Sequence, residues 1–184
     1  MIKKLLQAAV LVVGGLALGG CPFQQASTTA PGKPPAADYQ APVAASPPAG
    51  SIRGICYNEN DIATYRGRMV QQQMVVGTLQ CQTAGGRRAY ESQYAAFLGK
   101  FKGDLGTNAR NLQTLSRAKR FNVDVVVTEF ANRTAQRAQT DKEFCSRFKR
   151  AFDWALSKEV ASLAQIPPPY DLGPEMNVHP CPKQ

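Results

Sequence analysis

Between Ser51 and Pro167 apolar residues recur every three or four positions with charged residues between them, the period of helices that bury one face. Ile62, Tyr65, Met69, Val76 and Leu79 mark a first helix, opened by Asn60 or Asp61 as N-cap and stopped near Cys81 by the turn Thr83 to Arg87. A second segment follows Tyr90, Tyr94, Phe97, Phe101, Leu105, Leu112 and Leu115. Gly99, Gly103 and Gly106 weaken it by up to about 1 kcal/mol each relative to alanine, so a kink or short break is expected from Gly103 to Gly106. Three successive valines, 125–127, favour a strand by propensity. Spacing decides against it, because Val123, Val126, Val127, Phe130 and Thr134 fall on one helical face and the polar run 132–139 keeps the period. Thr140 and Glu143 form a capping-box pattern, in which each side chain satisfies a free backbone N–H, and this predicts the start of a last helix. Its buried stripe is Phe144, Phe148, Phe152, Ala155, Val160 and Leu163, and Pro167 to Pro169 ends it.

Helices joined by short turns predict an all-α fold, an up-down bundle of about four helices over residues 52–166, followed by an extended proline-rich tail over 167–184. The preceding stretch has neither period. Residues 22–50 hold seven prolines among Ala, Ser, Thr and Gln, with Phe23, Tyr39 and Val43 as the only sizeable apolar side chains. Such a run forms no core, and residues 21–51 are expected to be a disordered tether reaching at most about 90 Å in polyproline form.

Ahead of it, Lys3 and Lys4 precede an apolar stretch, Leu5 to Leu18, too short to span a bilayer, which needs about 20 helical residues. This reads as a cleaved export signal over residues 1–20. The residues that follow, Leu18-Gly19-Gly20-Cys21, resemble the lipobox of bacterial lipoproteins. The resemblance implies cleavage before Cys21, a diacylglycerol on its sulfur and an acyl group on its new amine, so that more than one chain anchors the protein stably in a membrane. It also implies the bacterial cell envelope, with the domain in the periplasm or at the cell surface. An ordinary secretory signal, with Cys21 free or paired, is the alternative.

Five cysteines leave one odd thiol, which lipidation of Cys21 accounts for; Cys56, Cys81, Cys145 and Cys181 then form two disulfides. None of these four makes the close pair that a zinc site needs. A first helix of about 20 residues is roughly 30 Å long and separates Cys56 from Cys81 beyond disulfide reach. In up-down order Cys81 meets Cys145 at one end and Cys56 meets Cys181 at the other. A full reversal at Gly103 to Gly106 would instead pair Cys56 with Cys145 and Cys81 with Cys181.

Little in the chain points to chemistry. The single histidine, His179, stands in the proline-rich tail and is expected to be exposed, and Glu129 with Arg133 reads as helix-surface charge. There is no P-loop, no G-x-G-x-x-G after a strand and no H-E-x-x-H, and Gly99-x-x-x-Gly103 reads as close helix contact or a kink. The domain is expected to be a binding or structural module for an anionic envelope component or a protein assembly, with no enzyme activity and no cofactor; an envelope enzyme or enzyme inhibitor is the alternative. The net charge of +9 favours anionic partners, such as phospholipid head groups, wall polymers or an acidic protein, over nucleic acid, for which no reading motif is present. Arg147, Lys149, Arg150 and Lys158 on the last helix, taken to face away from the phenylalanine stripe, are the candidate face, and Arg117, Lys119 and Arg120 form a second basic group.

Overall fold

A computed structural model describes residues 36–43 and 56–181. The leader, Cys21 and most of the expected tether lie outside the described residues. A short strand β1 (Cys56–Tyr57) leads into α1 (Glu59–Gln80), followed by α2 (Glu91–Lys100), α3 (Lys102–Lys119), α4 (Val123–Thr140) and α5 (Phe144–Leu156). Two single 3-10 turns, Leu163–Gln165 and Pro174–Met176, precede β2 (His179–Pro180), which pairs in parallel with β1. Among the described residues no helix is long and apolar enough to cross a membrane.

The protein is a helical bundle with α1 at its centre. The helix packs against each of the other four, which explains why its buried surface is a wide band and includes Val70, Gln73 and Met74 as well as Tyr65 and Met69. Leu79, expected in the core, lies at the helix end and is 45% exposed. Helix directions follow from which ends meet. Cys81 at the end of α1 is bonded to Cys145 at the start of α5, and Tyr90 before α2 donates its hydroxyl to the Cys145 carbonyl. At the other end of α1, Lys119 closes α3 against Asp61 and donates to the Cys56 carbonyl, while Phe121 meets Tyr65 edge-on. Thus α1 and α4 run one way and α2–α3 and α5 the other. The disulfides Cys81–Cys145 and Cys56–Cys181 sit at opposite ends, as the up-down order requires.

Local signals account for most boundaries. Asn58, rather than Asn60 or Asp61, caps α1: its side chain accepts from the Asp61 N–H while Asp61 accepts from the Asn58 N–H. Asn122 caps α4 by accepting from the Asp124 and Val125 N–H groups, and the three-valine segment is helical. The break in the second segment falls at Phe101, between Gly99 and Gly103 and ahead of the expected stretch Gly103 to Gly106, with the Leu105 N–H still bonded to the Phe101 carbonyl. Gly99 and Gly103 meet nothing that a Cβ would touch, so they mediate no helix contact. The close approaches are at Gly77, where a Cβ would lie 2.4 Å from the Phe148 ring, and at Gly67, where it would lie 2.6 Å from Asn108 Nδ2.

Three expectations are overturned. Thr140 opens no helix, because it is still part of α4, whose hydrogen bonds run on to Asp141; the Glu143 N–H is instead taken by Asp141 Oδ1. The last helix stops at Leu156, well before Pro167, with Lys100 donating to the Ala155 and Ser157 carbonyls. A helix of 13 residues covers about 20 Å, against about 33 Å for the 22 residues of α1. The remaining length of the bundle is filled by the chain after Leu156, whose Val160, Leu163, Ile166, Tyr170, Leu172 and Val178 are all buried. Residues 167–181 run as the extended tail expected, packed onto the bundle, but His179, expected to be exposed, lies half-buried in β2 opposite Cys56.

Candidate functional site

The described part of the expected tether, residues 36–43, lies against the domain. Tyr39 is 0% exposed and its hydroxyl donates to the Pro167 carbonyl at 2.8 Å. Gln40 Nε2 donates to the Pro168 carbonyl at 3.0 Å and the Ala41 N–H to the Pro169 carbonyl at 2.9 Å. The three prolines explain this pattern: they lack N–H groups and present three acceptors in a row, so whatever docks there must bring donors. The register is fixed from the other side by Gln73, fully buried on α1, whose amide donates to the Tyr170 carbonyl and accepts from the Tyr170 N–H, the first N–H after the prolines.

Arg147 completes the contact. It is 9% exposed and lies on the buried face of α5 with Phe144, Phe148 and Ala151. Its Nη1 donates to the Tyr39 carbonyl, its Nε and Nη2 reach Asp141 Oδ2 at 3.1 and 3.0 Å, and its guanidinium stands 5.4 Å from the centre of the Tyr170 ring. Tyr170 donates its own hydroxyl to the same Asp141 oxygen at 2.7 Å. Burial pushes the Asp141 carboxyl up, but the hydrogen bonds from Tyr170, the Glu143 N–H and Arg147 outweigh it and hold the group below the usual carboxylate range. Burial raises the Tyr39 and Tyr170 hydroxyls far above the usual tyrosine range, and the bond to Asp141 raises Tyr170 further.

The candidate basic face on and after α5, expected to meet an anionic partner, does not form as a set. Arg147 is inside the fold, Lys149 is paired with Asp153 at 2.8 Å and Arg150 is half-buried, which leaves Lys158 exposed. In the second basic group, Lys119 is held by Asp61 and stands over the Tyr57 ring, whereas Arg117 and Arg120 are exposed and have no carboxylate partner among the described residues. Glu129 and Arg133 pair one turn apart as expected, and Arg133 and Arg137 also hold Glu175 of the tail.

A cleft of about 710 Å³ runs beside the docked segment, between Ala37 and Gln40, the α1 residues Ile62 and Arg66, and Leu163 to Pro168. Arg66 is bonded to Asp171 at its rim at 2.8 Å. A second cleft, of about 480 Å³, is lined by Thr64, Asp104, Thr107 and Asn108 together with Ala63, Leu163 and Ala164, and Asn108 Oδ1 has no hydrogen-bond partner among the described residues. Among the described residues no three His, Cys, Asp or Glu side chains are placed to hold a metal ion. Compared with known proteins, the chain matches no family model, no curated protein and no solved structure.

The tether contact and Arg147 are the features that reasoning from sequence missed. For Arg147 the signal was present: it is three residues from Phe144 and four from Ala151, on the stripe itself, and only its charge removed it from the expected core. Tyr39 carried a weaker signal, as the one aromatic residue between Phe23 and Tyr57.

Proposed function

We propose that this chain is a lipid-anchored protein of the bacterial envelope whose helical domain is a binding module for an anionic envelope component and turns over no substrate. The supporting observation is the way the acidic groups are used. Asp141, Asp171 and Glu175 are engaged inside the fold, tying α1, α4 and α5 to the tail through Arg147, Arg66, Arg133 and Arg137. With those carboxylates committed, part of the excess positive charge is left on exposed side chains that have no ion pair among the described residues, among them Arg117 in the last turn of α3, Arg120 at its end, Lys142 before α5 and Lys158 after it. Exposed, unpaired cations attract anionic surfaces at low structural cost and raise encounter rates.

Two measurements test this reading. The domain should sediment with vesicles of anionic phospholipid or with purified lipopolysaccharide, and Arg117→Glu with Arg120→Glu or Lys158→Glu should weaken that capture, as should added salt, since exposed charges are screened over about 8 Å at physiological ionic strength. Capture indifferent to both sinks the anionic partner. For the anchor, Cys21→Ser should move the protein from the membrane fraction to the soluble fraction of the envelope; membrane sedimentation that survives a high-salt wash in this variant refutes lipidation at Cys21.

A further inference from the structure

We propose that residues 36–43 are a strap that shortens the leash between the anchor and the domain, with Tyr39 as its latch. The idea rests on the reading of Cys21 as the anchored residue. Fifteen peptide steps separate Cys21 from Ala36, a reach of at most about 50 Å, whereas thirty-five separate Cys21 from Cys56, a reach of at most about 120 Å. With the strap docked, the chain leaves the domain beside Arg66 and Pro167, where Ala37 lines the cleft. With the strap undocked, it leaves at Cys56, which is locked to Cys181 at the start of α1. The strap therefore decides both how far the domain stands from its anchor and which side of it faces the anchor.

The contacts described above for the strap are all non-covalent, and Tyr39 is its one fully buried side chain. Tyr39 is buried, while Ala37, Asp38, Gln40, Pro42 and Val43 are exposed. The domain is shaped for this occupant: three proline carbonyls face the three donors of Tyr39, Gln40 and Ala41, and the buried Arg147 donates to the Tyr39 carbonyl. A single aromatic anchor with a short ladder of hydrogen bonds has to oppose the entropy of ordering its neighbours, and that balance makes a latch that opens under load.

The fold offers a direct test. In the oxidised chain from Cys21 to Gln184, which keeps every described residue, Cys21 is the one unpaired thiol and takes one handle of an optical trap; a tag after Gln184 takes the other. Force then passes from the tether to Cys56, across the disulfide to Cys181 and out, so the helices are bypassed. The expected record is one reversible lengthening of up to about 70 Å, the contour of the 20 residues from Ala36 to Cys56, and its loss in Tyr39→Ala. A wild-type chain with no such step, or a step unchanged in Tyr39→Ala, overturns the strap. Should Tyr39→Ala fail to fold, hydrogen exchange of the wild-type Ala41 N–H decides instead: protection above that of the exposed loop 82–88 supports docking, and exchange as fast as that loop refutes it. Neither readout needs lipid, so failure of the strap and failure of the anchor are seen separately.

Discussion

A guanidinium that is 9% exposed has lost most of its hydration, and Arg147 is stable there only because each side of it meets a partner: the Asp141 carboxylate, the Tyr39 carbonyl and the Tyr170 ring. Removing the cation should leave Asp141 and the Tyr39 carbonyl short of a donor, so Arg147→Met is expected to destabilise the domain by about 3 kcal/mol in a urea titration, with Lys158→Met within about 0.5 kcal/mol of wild type. Equal effects would place Arg147 outside the load of the core. The same cluster sets an acid limit. Because the Asp141 carboxyl is held below its unfolded value, the unfolded chain binds the extra proton in that window, and stability rises with pH there. The contribution is complete above the ordinary carboxylate value of about 4 and is lost as pH falls through the lowered folded value, so Asp141→Asn should flatten the acid side of a stability–pH curve below about pH 4. A curve that keeps its full slope there in the variant would assign the acid limit to other carboxylates.

At the scale of elements, period carried most of the information and local chemistry corrected its ends. The alternation around Val123, Val126, Phe130 and Thr134 placed α4 correctly against the strand propensity of its valines, because burial of a whole face outweighs the small preference of single β-branched residues. The stripe Phe144, Phe148, Phe152 and Ala155 is buried as spaced, yet Val160 and Leu163 reach the core from a loop, since hydrophobic positions record burial and not helicity. The capping-box pattern at Thr140 was misleading for a related reason: a residue inside α4 cannot adopt the extended backbone an N-cap needs. Glycine was equally ambiguous. Gly77 and Gly99 both lie within helices, but the Gly77 Cα faces the Phe148 ring and the Gly99 Cα faces open space. Gly77→Ala should therefore cost about 2 kcal/mol or more through overpacking, whereas Gly99→Ala should stabilise by about 0.5–1 kcal/mol through helix propensity. Thermal unfolding of the two variants in parallel checks the contrast, and a stabilising Gly77→Ala would mean that α1 and α5 can move apart freely.

For the molecule as a whole, the all-α bundle and the two disulfides were legible because helix length and up-down order together dictate which cysteines share an end. What stayed hidden were contacts between segments far apart in sequence, above all Tyr39 on Pro167 and Gln73 on Tyr170, since neither a proline-rich run nor a glutamine in an apolar face announces its distant partner. These contacts enlarge the folded unit at both ends, so its integrity depends on the tail that completes the bundle below α5. The tail is held in two ways: by its buried apolar side chains and by Cys181, which closes a loop of 125 residues onto Cys56. In the chain-entropy account such a closure contributes about 4–5 kcal/mol, usually less in practice, through the unfolded state. Replacing Cys56 and Cys181 together by serine should then lower the melting temperature by up to roughly 8–20 °C, at about 2–4 °C per kcal/mol for a domain of this size, while the Gln73–Tyr170 contact keeps the folded tail in place. Protection of the Tyr170 N–H from hydrogen exchange in the double variant distinguishes the two supports: if it is retained, the core side chains hold the tail and the disulfide acts on the unfolded chain, and if it is lost, the covalent link is what keeps the tail on the bundle.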